Sequence, residues 1–205
     1  MALIDIGGGT TDVIVFLNGA VMHTAVLPIG GNHLTSDVAA GLRTPLSDAE
    51  HLKISHGVAT NLIVGRDEMV QVPGVGGREP RVIGRRLLGE IIEPRMEEIF
   101  AMAQRELIRS GVSDSLASGV VLVGGTSLLE GTQELAERIF NLPVRRGLPI
   151  NLKGMPEELM KPMYTTAAGL MLHAGNGRSY QNGLVRYGRL GWIRTRVTDW
   201  VRDFF

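Results

Sequence analysis

Two glycine-rich segments carry the residue types best suited to holding a phosphate group. The first, Asp5-Ile6-Gly7-Gly8-Gly9-Thr10-Thr11-Asp12, joins two runs of strand character. Without Cβ atoms, successive glycines let backbone N–H groups converge on an anion, and Thr10 adds a hydroxyl. Asp5, closing an apolar strand, is placed to hold a hydrated Mg²⁺ rather than to touch phosphate itself. The second segment, Val121-Leu122-Val123-Gly124-Gly125-Thr126-Ser127, has strand before it and helix after it. Neither is a dinucleotide fingerprint or a Walker loop, because the first lacks a following helix and no Gly-Lys-Ser/Thr occurs. Taken singly, the first also reads as a glycine-rich hairpin. The second, alone, reads better as a plain strand-to-helix connection.

Other polar residues are more ambiguous. Glu50 and Lys53 stand three apart on one helical face, the spacing of an exposed ion pair worth a few tenths of a kcal/mol. Arg78, Arg81, Arg85 and Arg86 cluster near the start of a long helix. They suit the carboxylates of a peptide partner and equally suit solvent. The five histidines (His23, His33, His51, His56, His173) are scattered, and cysteine is absent, so disulfides and thiolate metal sites are excluded. Formal net charge is zero, which gives no whole-chain argument for nucleic acid. Eighteen arginines stand against only Lys53, Lys153 and Lys161, a bias of composition before it is a phosphate signal.

These groups must be positioned by ordinary α/β elements. Leu3–Ile6, Asp12–Leu17 and Ala20–Leu27 read as a β-meander, with Asn18-Gly19 as its hairpin turn. A helix follows over 32–41, and Ser47 with Glu50 reads as a capping box opening the next. Short strands broken by glycine and proline fill 58–84. The spacing of Ile83, Leu87, Ile91, Met96, Ile99, Met102 and Leu107 predicts a long amphipathic helix over about 82–110. Ser118–Val123 reads as a buried strand, 131–140 as a helix, Val144 as a strand, and Tyr164 to about His173 as a helix whose small residues favour close packing. The start, Met1-Ala2-Leu3-Ile4, is a strand and not a signal peptide, which implies that something precedes it in a longer protein. No stretch approaches a transmembrane span, and the chain reads as cytoplasmic.

Residues 175–191 read as a glycine-rich linker. Beyond it, residues 192–205 are amphipathic: Ile193, Val197, Trp200, Val201 and Phe204 share an apolar face with Trp192 at its boundary. Arg194, Arg196, Arg202, Asp199 and Asp203 lie on the flanks and back. Such a helix suits either an anionic membrane surface or a docking groove, and the slack before it favours the membrane.

In order along the chain, the two glycine segments and Tyr164-Thr165-Thr166-Ala167-Ala168-Gly169 resemble three motifs of the actin, chaperone and sugar-kinase superfamily. These are the second phosphate loop, the adenosine loop and the second connecting helix. Ile29-Gly30-Gly31-Asn32 with Leu34-Thr35-Ser36-Asp37-Val38-Ala39 is similar to the FtsA family. So are Thr44-Pro45-Leu46-Ser47-Asp48-Ala49-Glu50, Lys53, His56-Gly57, Leu128-Leu129-Glu130-Gly131 and Asn141-Leu142-Pro143-Val144-Arg145. The likeness extends over nearly the whole chain.

The resemblance implies an α/β fold: an actin-like, ribonuclease-H-like mixed sheet with an inserted α+β subdomain, a flexible linker and a C-terminal amphipathic helix. It makes residues 1–31 and 111–174 subdomain 2A and residues 32–110 subdomain 2B. ATP with Mg²⁺ is the implied ligand, held by Asp5 (through water to the metal), Gly7, Gly8, Gly9, Thr10, Gly124, Gly125 and Thr126. Glu50 and Lys53 would meet the ribose hydroxyls and the adenine edge. The implied function is a division-site membrane tether for the tubulin-like FtsZ, whose C-terminal tail binds subdomain 2B in this family. The intact protein would self-associate. The first phosphate loop, the first connecting helix and the subdomain of self-contact have no counterpart here, so weak nucleotide binding and no hydrolysis are expected of this chain alone. A fragment of another superfamily ATPase and a pilus-assembly relative are the competing readings.

Overall fold

A computed structural model describes residues 1–74, 79–112, 116, 118–150 and 154–175. Met1–Thr166 form one compact unit. Its sheet runs β3-β2-β1-β6-β7. The strands are β1 (Ala2–Ile6), β2 (Thr11–Leu17), β3 (Ala20–Leu27), β6 (Val120–Val123) and β7 (Val144–Arg146). The β1–β2–β3 meander is antiparallel, whereas β6 pairs parallel to β1 and β7 parallel to β6. This is the expected mixed α/β sheet. Asn18 and Gly19 turn the β2–β3 hairpin with φ of 51° and 81°, the paired positive values of a two-residue turn that follows strand twist.

Strand alternation decides the faces. Ala2, Ile4 and Ile6 of β1 and Val13 and Val15 of β2 are fully buried, while Leu3, Asp5, Asp12, Ile14 and Phe16 are half-buried on the other side. All four residues of β6 are buried, as the centre of a mixed sheet covered on both faces requires. On the core face lie α3 (Arg85–Arg109) and α4 (Thr132–Phe140), in mutual contact. Phe100 and Phe140 meet edge to face there, centroids 5.4 Å apart.

Between β3 and α3 come α1 (Gly31–Leu42), α2 (Leu46–His56), a 3₁₀ turn (Asn61–Ile63) and the hairpin of β4 (Met69–Val72) and β5 (Arg81–Gly84). Two local expectations are corrected. Helix α2 is capped by Pro45 and begins at Leu46, so Ser47 lies inside the first turn; the Glu50 carboxylate pairs with Lys53 and Thr35 instead of closing a capping box. The long helix begins at Arg85, because 81–84 pair with β4. Its buried stripe is therefore Leu88, Ile92, Met96, Phe100, Ala103 and Leu107, with Ile99, and Leu87 points out. Pro94 interrupts this helix on its exposed side, where water can satisfy the carbonyl it frees.

Glu93 ties the insertion to the sheet layer. Its carboxylate accepts from the Thr60 hydroxyl (2.8 Å), the Asn61 amide (2.9 Å) and Arg138 of α4 (3.0 Å). A final helix, α5 (Thr165–Gly175), follows a 3₁₀ turn at Pro162–Tyr164. Among the described residues no helix is long and apolar enough to cross a membrane. The linker and the amphipathic helix expected over 175–191 and 192–205 lie outside the described residues from 176 onward.

Candidate functional site

Parallel pairing of β1 with β6 sets Asp5 beside Val123, so the two glycine segments leave the sheet from adjacent strand ends. The first closes on itself, with the Gly7 amide donating to the Thr10 carbonyl (2.9 Å). The start of α1 then ties it down: the Gly31 and Asn32 amides donate to the carbonyls of Gly7 (2.9 Å) and Gly8 (2.8 Å). The Thr126 hydroxyl also donates to the Gly7 carbonyl, at 3.0 Å, joining the second segment to the first. The carbonyls of Gly7, Gly8 and Thr10 are thus engaged, while the amides of the exposed Gly8 and Gly9 meet no acceptor among the described residues. Donors held outward by a fixed turn are what an anion site requires.

Glycine is required where the segments touch. Gly124 has φ of +85°, and a Cβ there would lie 2.4 Å from Asp5 Oδ1 and from the Ile6 carbonyl oxygen. At Gly31 a Cβ would lie 2.5 Å from the Thr126 hydroxyl. Asp5 faces the same junction: its Oδ2 accepts from the Thr166 hydroxyl at 2.7 Å, and Asp12 stands directly opposite on β2.

Helix α2 supplies the opposite wall. Lys53 is buried, and its ammonium lies 2.7 Å from Glu50 Oε2 while donating to Thr35 Oγ1 (2.9 Å) and the Gly31 carbonyl (3.1 Å). Partial burial pushes the Glu50 carboxyl up, but the hydrogen bonds from Lys53 and Thr35 outweigh it and leave its pKa below the ordinary value. Both contacts converge on Oε2.

Between these walls is a cavity of about 340 Å³, lined by Gly7, Gly8, Gly31, Asn32, Glu50, Lys53, Gly125 and Thr126. The same cavity is also lined by the apolar residues Ile54, Leu128, Leu129 and Met163, the last lying against Gly125, and by Arg85 and Glu130. The structure therefore brings six of the named residues, Gly7, Gly8, Glu50, Lys53, Gly125 and Thr126, around one cavity. Gly124 and Asp5 sit at the strand ends beside it. Gly9 is on the exposed side of the turn, and the Thr10 hydroxyl is directed to Asp12, at 3.4 Å. Arg85 was named only for a peptide partner, and Gly31, Thr35, Glu130, Met163 and Thr166 were not singled out as site residues by sequence reasoning. Only the order of motifs along the chain hinted at them.

Of the four arginines named for a partner, Arg81, Arg85 and Arg86 lie among the described residues. Arg81 lies on β5 and donates to the Leu42 carbonyl. Arg85 is held by Glu68 (2.7 Å), by Glu130 and by the His56 carbonyl (2.9 Å). Arg86 is exposed in the first turn of α3, and Arg78 lies outside the described residues. The membrane-facing set Trp192, Ile193, Val197, Trp200, Val201 and Phe204 also lies outside them.

Known proteins share this architecture. A chain of MreB5 of Spiroplasma citri, solved bound to ADP, superposes with a TM-score of 0.68 at 18% identity, covering 85% of this chain and 53% of that one. A chain of the PilM–PilN type IV pilus biogenesis complex gives 0.61 at 20% identity, covering 84% and 45%. At such identities the likeness establishes the actin-like fold alone. Sequence similarity is more specific. The cell division protein FtsA of Pseudomonas aeruginosa is 47% identical over 173 residues, covering 84% of this chain and 42% of that protein. That of Escherichia coli K12 is 42% identical over 217 residues, covering all of this chain and 51% of that protein. The chain spans about half the length of these curated relatives. The model of the family described as cell division protein FtsA matches residues 2–169, and the chain belongs to that family.

Proposed function

We propose that this cell-division protein, actin-like in fold, binds an adenine nucleotide in the glycine-lined cavity and serves to hold FtsZ at the inner face of the cytoplasmic membrane. The observation that carries the nucleotide reading is the meeting of Gly7–Gly8, Gly125–Thr126 and the Glu50–Lys53 pair around one cavity. In this reading the outward amides of the first turn take phosphate oxygens. Glu50, its Oε2 committed to Lys53 and Thr35, offers its other oxygen to a ribose hydroxyl, and the apolar side chains of Ile54 and Leu128 take the base. Asp5 orders water around a phosphate-bound Mg²⁺, which would screen phosphate charge. The ADP bound by MreB5 fits this assignment by analogy of fold.

The tethering role rests on family membership and on the amphipathic sequence at 192–205. Within it, 1–31 and 111–174 act as the nucleotide-binding subdomain and 32–110 as the FtsZ-binding one. No hydrolysis is assigned to this chain. Calorimetric titration with Mg-ATP tests the reading. Binding in the micromolar-to-millimolar range, weakened by Lys53→Met, is expected. Submicromolar affinity or turnover above background defeats the expectation of weak binding without hydrolysis, and no binding at all defeats the nucleotide assignment.

A further inference from the structure

Arg85 is the residue at which the cavity, α2 and the β4–β5 hairpin meet. It is the first residue of α3, and its side chain, 16% exposed, lines the cavity. Each part of its guanidinium is committed. Nε donates to the His56 carbonyl at the end of α2 (2.9 Å). The two terminal nitrogens donate to Glu68, just ahead of β4 (2.7 Å), and to Glu130, just after the second glycine segment. The Arg85 backbone amide adds a bond to the Glu68 carbonyl at 2.8 Å. Next to it, Val58 bridges to Glu130, and the Ala59 amide donates to the Glu130 carbonyl at 2.7 Å. Three segments far apart in sequence thus share one planar cation, whose fork suits two carboxylates and a carbonyl at fixed angles.

From this geometry we infer that Arg85 is a positioning residue that couples occupancy of the cavity to the order of the β4–β5 hairpin. A ligand filling the cavity contacts the Leu128–Glu130 segment and the end of α2, the two places Arg85 grips. Holding them closes the grip, and the remaining arm of the guanidinium carries the effect to Glu68 and so to Met69–Val72 and Arg81–Gly84. The same commitment removes Arg85 from the set of side chains free to meet a partner's carboxylates. The inference rests on the nucleotide reading of the cavity.

Hydrogen exchange read by mass spectrometry on the full chain, with and without saturating Mg-ATP, tests it, with calorimetry on the same samples. In the unaltered protein, nucleotide should slow exchange at 69–72 and 81–84 by at least about threefold, a small fraction of a local opening equilibrium. Glu68→Gln, which lies outside the cavity, should still bind nucleotide and lose most of that slowing. Arg85→Lys should retain part of it, since a single compact ammonium cannot span acceptors set around a planar fork, and Arg85→Ala none. Binding without any slowing at the hairpin, or slowing that survives Glu68→Gln and Arg85→Ala, overturns the coupling while leaving the nucleotide site standing. A chain that binds no nucleotide removes both.

Discussion

The Thr166 hydroxyl donates to Asp5 Oδ2 at 2.7 Å, joining the first turn of α5 to the end of β1 across 161 positions of sequence. Asp5 Oδ1 meanwhile fills the space that Gly124 leaves by lacking a Cβ. One carboxylate thus registers three strand and helix ends. Thr166→Val should cost about 1 kcal/mol in urea unfolding, the net worth of one hydrogen bond. It should also raise the Mg²⁺ concentration needed to support nucleotide binding, whereas Thr166→Ser should do neither. An unchanged metal requirement in the valine variant would show that Asp5 is not oriented from α5.

Among the arginines named for a partner, Arg86 is exposed and Arg81 is held by the Leu42 carbonyl. Fluorescence anisotropy with a labelled FtsZ tail peptide should therefore respond to Arg86→Glu by several-fold weakening, with the thermal midpoint unchanged. Arg81→Glu should lower the midpoint as well, because the Leu42 carbonyl loses its donor. If both reversals leave peptide affinity intact, these two arginines form no part of a tail-binding surface.

Glu93 makes stability depend on pH in a definite direction. Burial alone would push its carboxyl up, yet the Asn61 amide, the Thr60 hydroxyl and Arg138 outweigh that and hold its pKa below the ordinary value. A carboxyl depressed in the folded state contributes stability above its unfolded pKa, about 4.3, and loses it as pH falls through the lower folded value. Urea midpoints should thus fall as pH drops from about 5 to 3. Glu93→Gln should be less stable at neutral pH and should flatten that slope. An unaltered slope would place the acid sensitivity elsewhere.

Membrane binding should require the last fourteen residues and anionic lipid. Burying Ile193, Val197, Trp200, Val201 and Phe204 contributes several kcal/mol at about 25 cal/mol per Å², while each nearby arginine adds up to about 1 kcal/mol on an anionic surface. The apolar term dominates and the charge selects the lipid. Trp200→Glu should abolish liposome co-sedimentation. Arg194→Ala with Arg202→Ala should weaken it only on anionic vesicles, an effect that raised salt reproduces. Equal sedimentation of a chain ending at Gly191 would rule out residues 192–205 as the anchor.

Much of the scaffold was legible because its signals are local. Alternating burial in β1 and β2, the Asn18-Gly19 turn and the helix over 132–140 each follow from a few neighbouring residues. Local signals also misled. Ser47 and Glu50 have capping-box spacing, but Glu50 finds stronger partners in Lys53 and Thr35, and Pro45 with its fixed φ takes the cap. The helical period of α3 was visible, whereas its phase was set by the β4–β5 pairing that delays its start to Arg85. The glycine segments and the Glu50–Lys53 pair could be named from residue type and motif order. Thr166 could not, and Arg85 was named only for a partner's carboxylates, since their contacts lie 17 to 161 positions away and neither position advertises them. Thr35 was hidden in the same way, as a hydroxyl on a helix face reaching a lysine 18 positions on.

The parallel pairing of β1 with β6 has a kinetic side. Those two strands are neighbours in the sheet, yet β2, β3 and the whole of residues 32–110 lie between them in sequence. The meander β1–β3 is available as soon as it is synthesised, but the second glycine segment arrives only after α3 has been made. A pocket whose two lips are joined by a loop of that length exists only once the largest chain closure has been completed. A ligand of this cavity would therefore find both glycine lips in place only after that closure.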